Sequence, residues 1–205
     1  KSLGNLFTLR DLEEKKIDVV SDDKYEYKRR NKNIPKQGRP KISTGEARVM
    51  NRYTYKGDGP LNKSLRDSTE PPDKELHNTL QEVISRTRNF EVPVQTYRGM
   101  SFPDGGKEKF LKSMEESLKR GSGFIVPGYQ STTTDRGVST GFSWPIGEEK
   151  GITIVIEANK GIDMDSVSQF SGTRAGEKEL LLNHNSQFMV TKVDRQSGEV
   201  HMRQL

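Results

Sequence analysis

At 205 residues the chain has room for one domain of ordinary size, with or without an arm, since domains mostly run to roughly 100–200 residues. Leu, Ile, Val and Phe make up roughly 22% of it, just above the level of about 20% below which chains tend to stay disordered, so the core must be small. Charged residues are 31% of the chain and its longest largely apolar run, residues 152–156 with Thr153 inside it, is far short of the roughly 20 residues a bilayer span needs, which excludes membrane spanning and, within these residues, a signal peptide.

Leu6, Leu9 and Leu12 recur at three-residue intervals, enough for a short amphipathic helix. Residues 24–41 then hold eight Lys or Arg against the single acid Glu26, with Pro35, Gly38 and Pro40 breaking any regular element and no apolar face to bury. Residues 1–42 are therefore expected to be a basic arm or linker, and residues 43–205 the folded domain. Ser43-Thr44-Gly45-Glu46 has the spacing of a capping box and is followed by Ala47, Met50 and Tyr53 at helical intervals, so a helix should start there. Pro60 suits the first turn of a second helix over 60–66, on which Asn62 and Arg66 share a face. Asp73 can cap a helix over 74–86 whose Leu76, Leu80, Val83 and Ile84 form one stripe, and a further helix uses Phe110, Leu111, Met114 and Leu118.

From there the pattern turns toward period two. Strands are expected at 92–98, Phe124–Val126 with 129–132, Ile152–Ala158, 178–183 and 187–194, the last turning at Gln196-Ser197-Gly198 into Glu199–Gln204. Helices first and strands afterwards predict an α+β domain, N-terminal helices packed on a mainly antiparallel β-sheet core.

Several chemistries drop out. No Cys is present, which removes disulfides, thiolate nucleophiles and cysteine metal sites, and His77, His184 and His201 have no metal-ligand spacing, so no metal is expected. Neither Gly105-Gly106-Lys107 nor the stretch 141–147 makes a P-loop, Gly121-Ser122-Gly123 lacks the rest of a dinucleotide fingerprint, and no Gly-x-Ser-x-Gly elbow exists. Three features remain. Tyr97-Arg98-Gly99 closes a predicted strand, offering a guanidinium fork for phosphate oxygens and a glycine that a ligand can approach. The run Tyr129-Gln130-Ser131-Thr132-Thr133-Thr134 can present hydroxyls into a cleft. Glu177-Lys178-Glu179 leads into Leu180-Leu181-Leu182, where period two would put both carboxylates on one side and Lys178 on the other. Each alone is ordinary: a surface ion pair, a polar strand, two acids among 29.

Together, in this order, they resemble the Arg, Ser-Thr-Ser, Glu-x-Glu signature of bacterial mono-ADP-ribosyltransferase toxins, in the branch that includes binary actin-modifying toxins and Rho-modifying exoenzymes. The resemblance spans residues 43–195 and includes Tyr53-Thr54 with Asn62 and Arg66 upstream and Gly141-Phe142 downstream. It departs in reading Ser131-Thr132-Thr133, which preserves a hydroxyl, and in placing Pro145 after Trp144 where relatives often have a phosphate-binding Arg, a role left to Arg136 or Lys150.

The resemblance implies the ADP-ribosyltransferase fold, NAD⁺ as co-substrate and no metal. It implies Glu179 as the carboxylate that stabilises the oxocarbenium-like transition state, Ser131 as its hydrogen-bonding guide, and Glu177 as the acceptor-side carboxylate, Glu being the arginine-specific choice at that position. Arg98, Gly99, Asn62, Arg66 and Thr132 would contact NAD, Phe142 would face nicotinamide, and Phe170 and Arg174, in the loop 168–174, would meet the target. The expected activity is transfer of ADP-ribose to an arginine of a target protein, with NAD hydrolysis as a side reaction. The protein would be secreted or injected, clipped from a larger effector as the start at Lys1 without Met fits, active in the target cytoplasm, and neutralised in its producer by an immunity protein. Two alternatives stay open: modification of RNA by the same site, and a nucleic-acid-binding module using the basic arm with Tyr25 and Tyr27.

Overall fold

The structure is a computed structural model and describes residues 31–103, 105–143, 151–165, 167 and 177–205. Helix α1 (Thr44–Arg52) starts where the sequence marks it: Glu46 N–H donates to Ser43 Oγ at 3.1 Å and Ser43 N–H to Glu46 Oε2 at 2.7 Å. One π-helical turn, Tyr53–Gly57, carries the chain without a break into α2 (Asp58–Arg66), so Pro60 lies inside the first turn of a helix that begins two residues before it. Asp73 caps α3 (Lys74–Ser85) through a 3.0 Å bond from Leu76 N–H, and Leu76, Leu80, Val83 and Ile84 are buried as one stripe. Gly105 and Gly121, both left-handed, bracket α4 (Gly106–Arg120), and a short α5 (Arg136–Thr140), absent from the sequence expectation, is capped by Asp135.

The strands are β1 (Val94–Met100), β2 (Phe124–Val126), β3 (Gln130–Thr133), β4 (Ile152–Ala158), β5 (Ile162–Asp163), β6 (Glu179–Leu182), β7 (Ser186–Asp194) and β8 (Glu199–Gln204). They form one sheet in the order β2-β7-β8-β4-β1-β3-β6-β5, antiparallel throughout except for β4 beside β8. The α+β class and the mainly antiparallel sheet are as expected. β1 begins two residues late because Pro93 has no N–H for the ladder, and it runs on to Met100. Arg98 therefore sits inside a strand, opposite Ile154, and not at a strand end.

Two apolar clusters cover the sheet. One gathers Leu111 and Met114 of α4 with Ile152, Ile154, Ile156, Leu180, Leu182 and Phe188. The other gathers Met50, Tyr53, Leu61, Leu76 and Leu80 with Tyr129 and Leu181. β6 is buried on both faces, which is why its leucines run without alternation. The expected boundary at residue 42 needs correction. Ile34 is 1% exposed and lies in the first cluster, Ile42 lies in the second, and Asn31 is buried. Composition favoured a solvated arm, but two isoleucines among the basic residues reach separate cores. Residues 1–30 lie outside the described residues.

Candidate active site

A cavity of about 190 Å³ opens where α2, β1, β3, α5 and the start of β6 converge. Its lining includes Asp58, Asn62, Arg98, Gly99, Ser131, Thr132, Phe142, Glu177 and Glu179. Of the residues expected to form the site, Arg66 is exposed and does not line it, though its charge is felt at Arg98. Phe170 and Arg174 lie outside the described residues, as do Trp144, Pro145 and Lys150. Arg136, a substitute for the missing loop arginine, is ion-paired with Glu199 and is not part of the lining.

Glu179 stands at the first position of β6, opposite Thr133, with its carbonyl accepting from Met164 N–H at 3.1 Å. It is 5% exposed. Burial, the largest influence, pushes its carboxyl up to about 7; Glu177 and Asp58 act in the same direction, while a hydrogen bond from Ser131 and the charge of Arg98 oppose them. Ser131 is thus in contact with Glu179, and it also meets Tyr53, whose hydroxyl lies 3.3 Å from Ser131 Oγ. Tyr53 is 1% exposed, and burial first, then the Glu179 charge, raise its hydroxyl to about 12, so it keeps its proton at neutral pH. Arg98 donates from Nη1 to the Ser131 carbonyl at 2.7 Å. Desolvation, more than any charge, lowers its pKa. One arginine, one serine, one tyrosine and one buried carboxylate are therefore coupled by contacts between segments far apart in the chain.

Asn62 lines the cavity, and its amide is also engaged within the fold. Its Oδ1 accepts from Tyr129 N–H at 2.8 Å and its Nδ2 donates to Tyr53 Oη at 3.1 Å, so the amide braces the first helix pair against β3. Gly128 leaves little room beside it, since a Cβ there would stand 3.0 Å from Asn62 Oδ1. Thr132 likewise donates from Oγ1 to the Leu180 carbonyl at 2.7 Å, tying β3 to β6. Gly99 has no room for a Cβ, which would lie 2.1 Å from the Ser139 carbonyl oxygen and 2.8 Å from Phe142 C. Gly99 is thus approached closely by α5 and by the residues just after it. That packing leaves Phe142 57% exposed at the cavity, an aromatic face open to a ligand and not a core side chain.

Glu177 is exposed, and partial burial, then Asp165 and Asp58, raise its pKa from its ordinary value. Both glutamates line the same cavity, but not by strand alternation. Lys178 between them has φ of 49°, a left-handed backbone, and β6 begins only after it. Sequence spacing assigned neither Tyr53 nor Asp58 a role in the site. Tyr53 was legible as a core position on the helical stripe; nothing in the pattern marked Asp58, which lines the cavity from the first position of α2. Among the described residues no group of three or more His, Asp or Glu could hold a metal, and no helix is long and apolar enough to cross a membrane.

Among curated proteins none matches the sequence. Solved structures match in fold: exoenzyme S from Pseudomonas aeruginosa, in complex with human 14-3-3 protein beta and bound to carba-NAD, is 21% identical, with 78% of this chain and 74% of that one covered at a TM-score of 0.60. Vis from Vibrio splendidus, in complex with an inhibitor, is 19% identical over 80% of this chain and 72% of that one at 0.58. An ADP-ribosyltransferase from Clostridium botulinum is 18% identical over 80% of this chain and 86% of that one at 0.55. Each of these is an ADP-ribosyltransferase or exoenzyme, and this chain is similar to them in fold. The model of the ADP-ribosyltransferase exoenzyme family matches residues 23–205, nearly the whole chain, and the protein belongs to that family, whose members use NAD as substrate.

Proposed function

We propose that the protein cleaves NAD at the bond between nicotinamide and ribose and transfers the ADP-ribose to an arginine of a target protein, inside a cell that is not its producer. The observation that carries this reading is the pair of unlike carboxylates on one cavity: Glu179 buried and coupled to Ser131, Glu177 exposed at the opening. Cleavage builds positive charge on the ribose in an oxocarbenium-like transition state, and a carboxylate held in a poorly solvated place interacts with that charge more strongly than one in water. Glu179 is the group so placed, and Ser131 orients it. Arg98, aimed into the cavity from the middle of β1, would pair with the pyrophosphate and fix the ribose beneath it. A cavity of about 190 Å³ is below the usual range for a whole ligand of this size, so it suits the nicotinamide riboside end, with Phe142 offering its face to the ring.

The acceptor side follows from charge. A guanidinium is protonated at any working pH and needs a carboxylate both to align it and to take its proton as the new bond forms. Glu177 is accessible and, with Asp58 beside it, makes the opening anionic. A solved structure of the similarly folded Vis holds agmatine, a small guanidinium compound, and this supports the same class of acceptor here.

Glu177→Gln tests the reading. Transfer to protein or to agmatine should fall by about 10²–10⁴, the range a general base contributes, while NAD hydrolysis persists because water needs less help. If both activities fall together, Glu177 belongs to the donor side and the arginine reading loses its support.

A further inference from the structure

Lys178 is the residue between the two carboxylates, and its backbone is held in a conformation that non-glycine residues avoid, at φ of 49°. Every polar group it has is engaged. Its N–H donates to Asp165 Oδ1 at 3.1 Å; its carbonyl accepts from Thr134 N–H at 3.1 Å and from Asn31 Nδ2 at 3.0 Å; its ammonium donates to Asp135 Oδ2 at 2.6 Å. The partners come from separate segments of the chain and are themselves fixed: Asn31 Nδ2 also reaches Thr134 Oγ1 at 2.8 Å, and Asp165 N–H donates to Asp163 Oδ1 at 3.2 Å. Strain of this kind persists only where the surroundings over-determine it, and here they do.

The two glutamates depend on this clamp unequally. Glu179 is inside the ladder, paired with Thr133 and bonded to Met164, so its position is fixed by β3 and by the turn after β5. Glu177 precedes the ladder, and the direction of its side chain follows from the turn at Lys178. An extended residue at 178 would continue the strand backward and carry Glu177 along the line of β6, whereas the left-handed turn redirects the chain at that point.

We propose that Lys178 is a positioning residue that sets the acceptor carboxylate, with Asp165 and Asn31 as the groups that hold it, and that the clamp determines how efficiently ADP-ribose passes to a guanidinium without determining how fast NAD is cleaved. The proposal rests on the acceptor-side reading of Glu177. The side chain's own part is the tether to Asp135; the rest is backbone, so a residue that tolerates positive φ should keep most of the function.

The test uses the full chain with agmatine as acceptor and measures transfer and NAD hydrolysis side by side. Lys178→Gly, which accepts the left-handed backbone, should keep the ratio of transfer to hydrolysis within about threefold of the original. Lys178→Val, β-branched and excluded from that region, should lower the ratio by about tenfold or more, since a misplacement near 1 Å carries costs of that order. Asp165→Ala should do the same, while Asp165→Asn, whose Oδ1 still accepts the Lys178 N–H, restores the ratio. Hydrolysis should stay within about threefold in all four. Should Lys178→Val fail to fold, the Asp165 pair decides alone. An unchanged ratio in both Lys178→Val and Asp165→Ala, or a parallel fall of both activities in folded variants, overturns the proposal. A starting protein that cleaves no NAD overturns the proposed function instead, so the two failures are distinguishable.

Discussion

Replacing Glu179 with Gln should abolish activity and stabilise the protein, and the second effect can be worked from the site. Burial holds the Glu179 carboxyl at about 7 in the folded chain, against an ordinary value of 4.5 once unfolded. Between those two values the folded protein keeps a proton that the unfolded chain has released. The raised value therefore stabilises nothing at neutral pH: the penalty is absent below about pH 4.5 and grows as pH rises toward 7, after which it is constant. At about 1.4 kcal/mol per pH unit the full penalty is about 3 kcal/mol at pH 8, shrinking to under about 1 kcal/mol at pH 5. Because Glu179 is almost wholly buried, solvent screening takes little from this figure. Gln removes the charge and retains an oxygen for Ser131. Thermal melts of both proteins without NAD should show Glu179→Gln higher by roughly 6–12 °C at pH 8, with most of that gain gone at pH 5. Subtracting the two pH values cancels whatever the amide itself gains or loses in packing. The same variant should show no NAD hydrolysis, and the original protein should lose activity as pH falls through 7, where the carboxylate takes up its proton. A melting difference that is the same at both pH values, or of opposite sign at pH 8, refutes the account of Glu179 as a destabilised buried carboxylate.

Arg98→Ala should weaken NAD binding measured by calorimetry, and Arg98→Lys should restore it only in part because an ammonium lacks the two-pronged fork; unchanged affinity in both would remove Arg98 from the donor site. Gly99→Ala places a Cβ against backbone that cannot yield, 2.1 Å from the Ser139 carbonyl oxygen, so it should cost about 1–3 kcal/mol in denaturant unfolding and weaken NAD binding by displacing Phe142. Ile34→Ala should cost about 2–5 kcal/mol, the loss expected of a core side chain; a change below about 0.5 kcal/mol would return residue 34 to a solvated arm.

Much of the local structure was legible in the sequence, for reasons that operate within a few residues. The Ser43 and Glu46 pair and Asp73 each satisfy backbone groups one turn away, so their helices begin where the spacing says. The stripe of α3 and the bounds of β4 and β8 follow from periodicity that any burial partner would satisfy. The ordered set Arg98, Ser131, Glu177 and Glu179 was legible as well, and the fold gathers it on one cavity. What tertiary structure alone decided is where side chains with several uses spend themselves. Asn62 could serve a phosphate or a backbone, and it is Tyr129 N–H and Tyr53 Oη, far along the chain or on the preceding turn, that take its amide. Gly99 is small because residues 139–142 pack on it, Tyr53 reaches the site through Ser131, and Ile34 enters a core whose other members begin at Phe90. At Lys178 the alternation rule placed both carboxylates together on a premise the backbone does not obey. A strand pattern fixes side-chain direction only inside a ladder; just before one, long-range hydrogen bonds between Lys178 and Asn31, Asp165 and Asp135 outweigh the local preference for extended backbone.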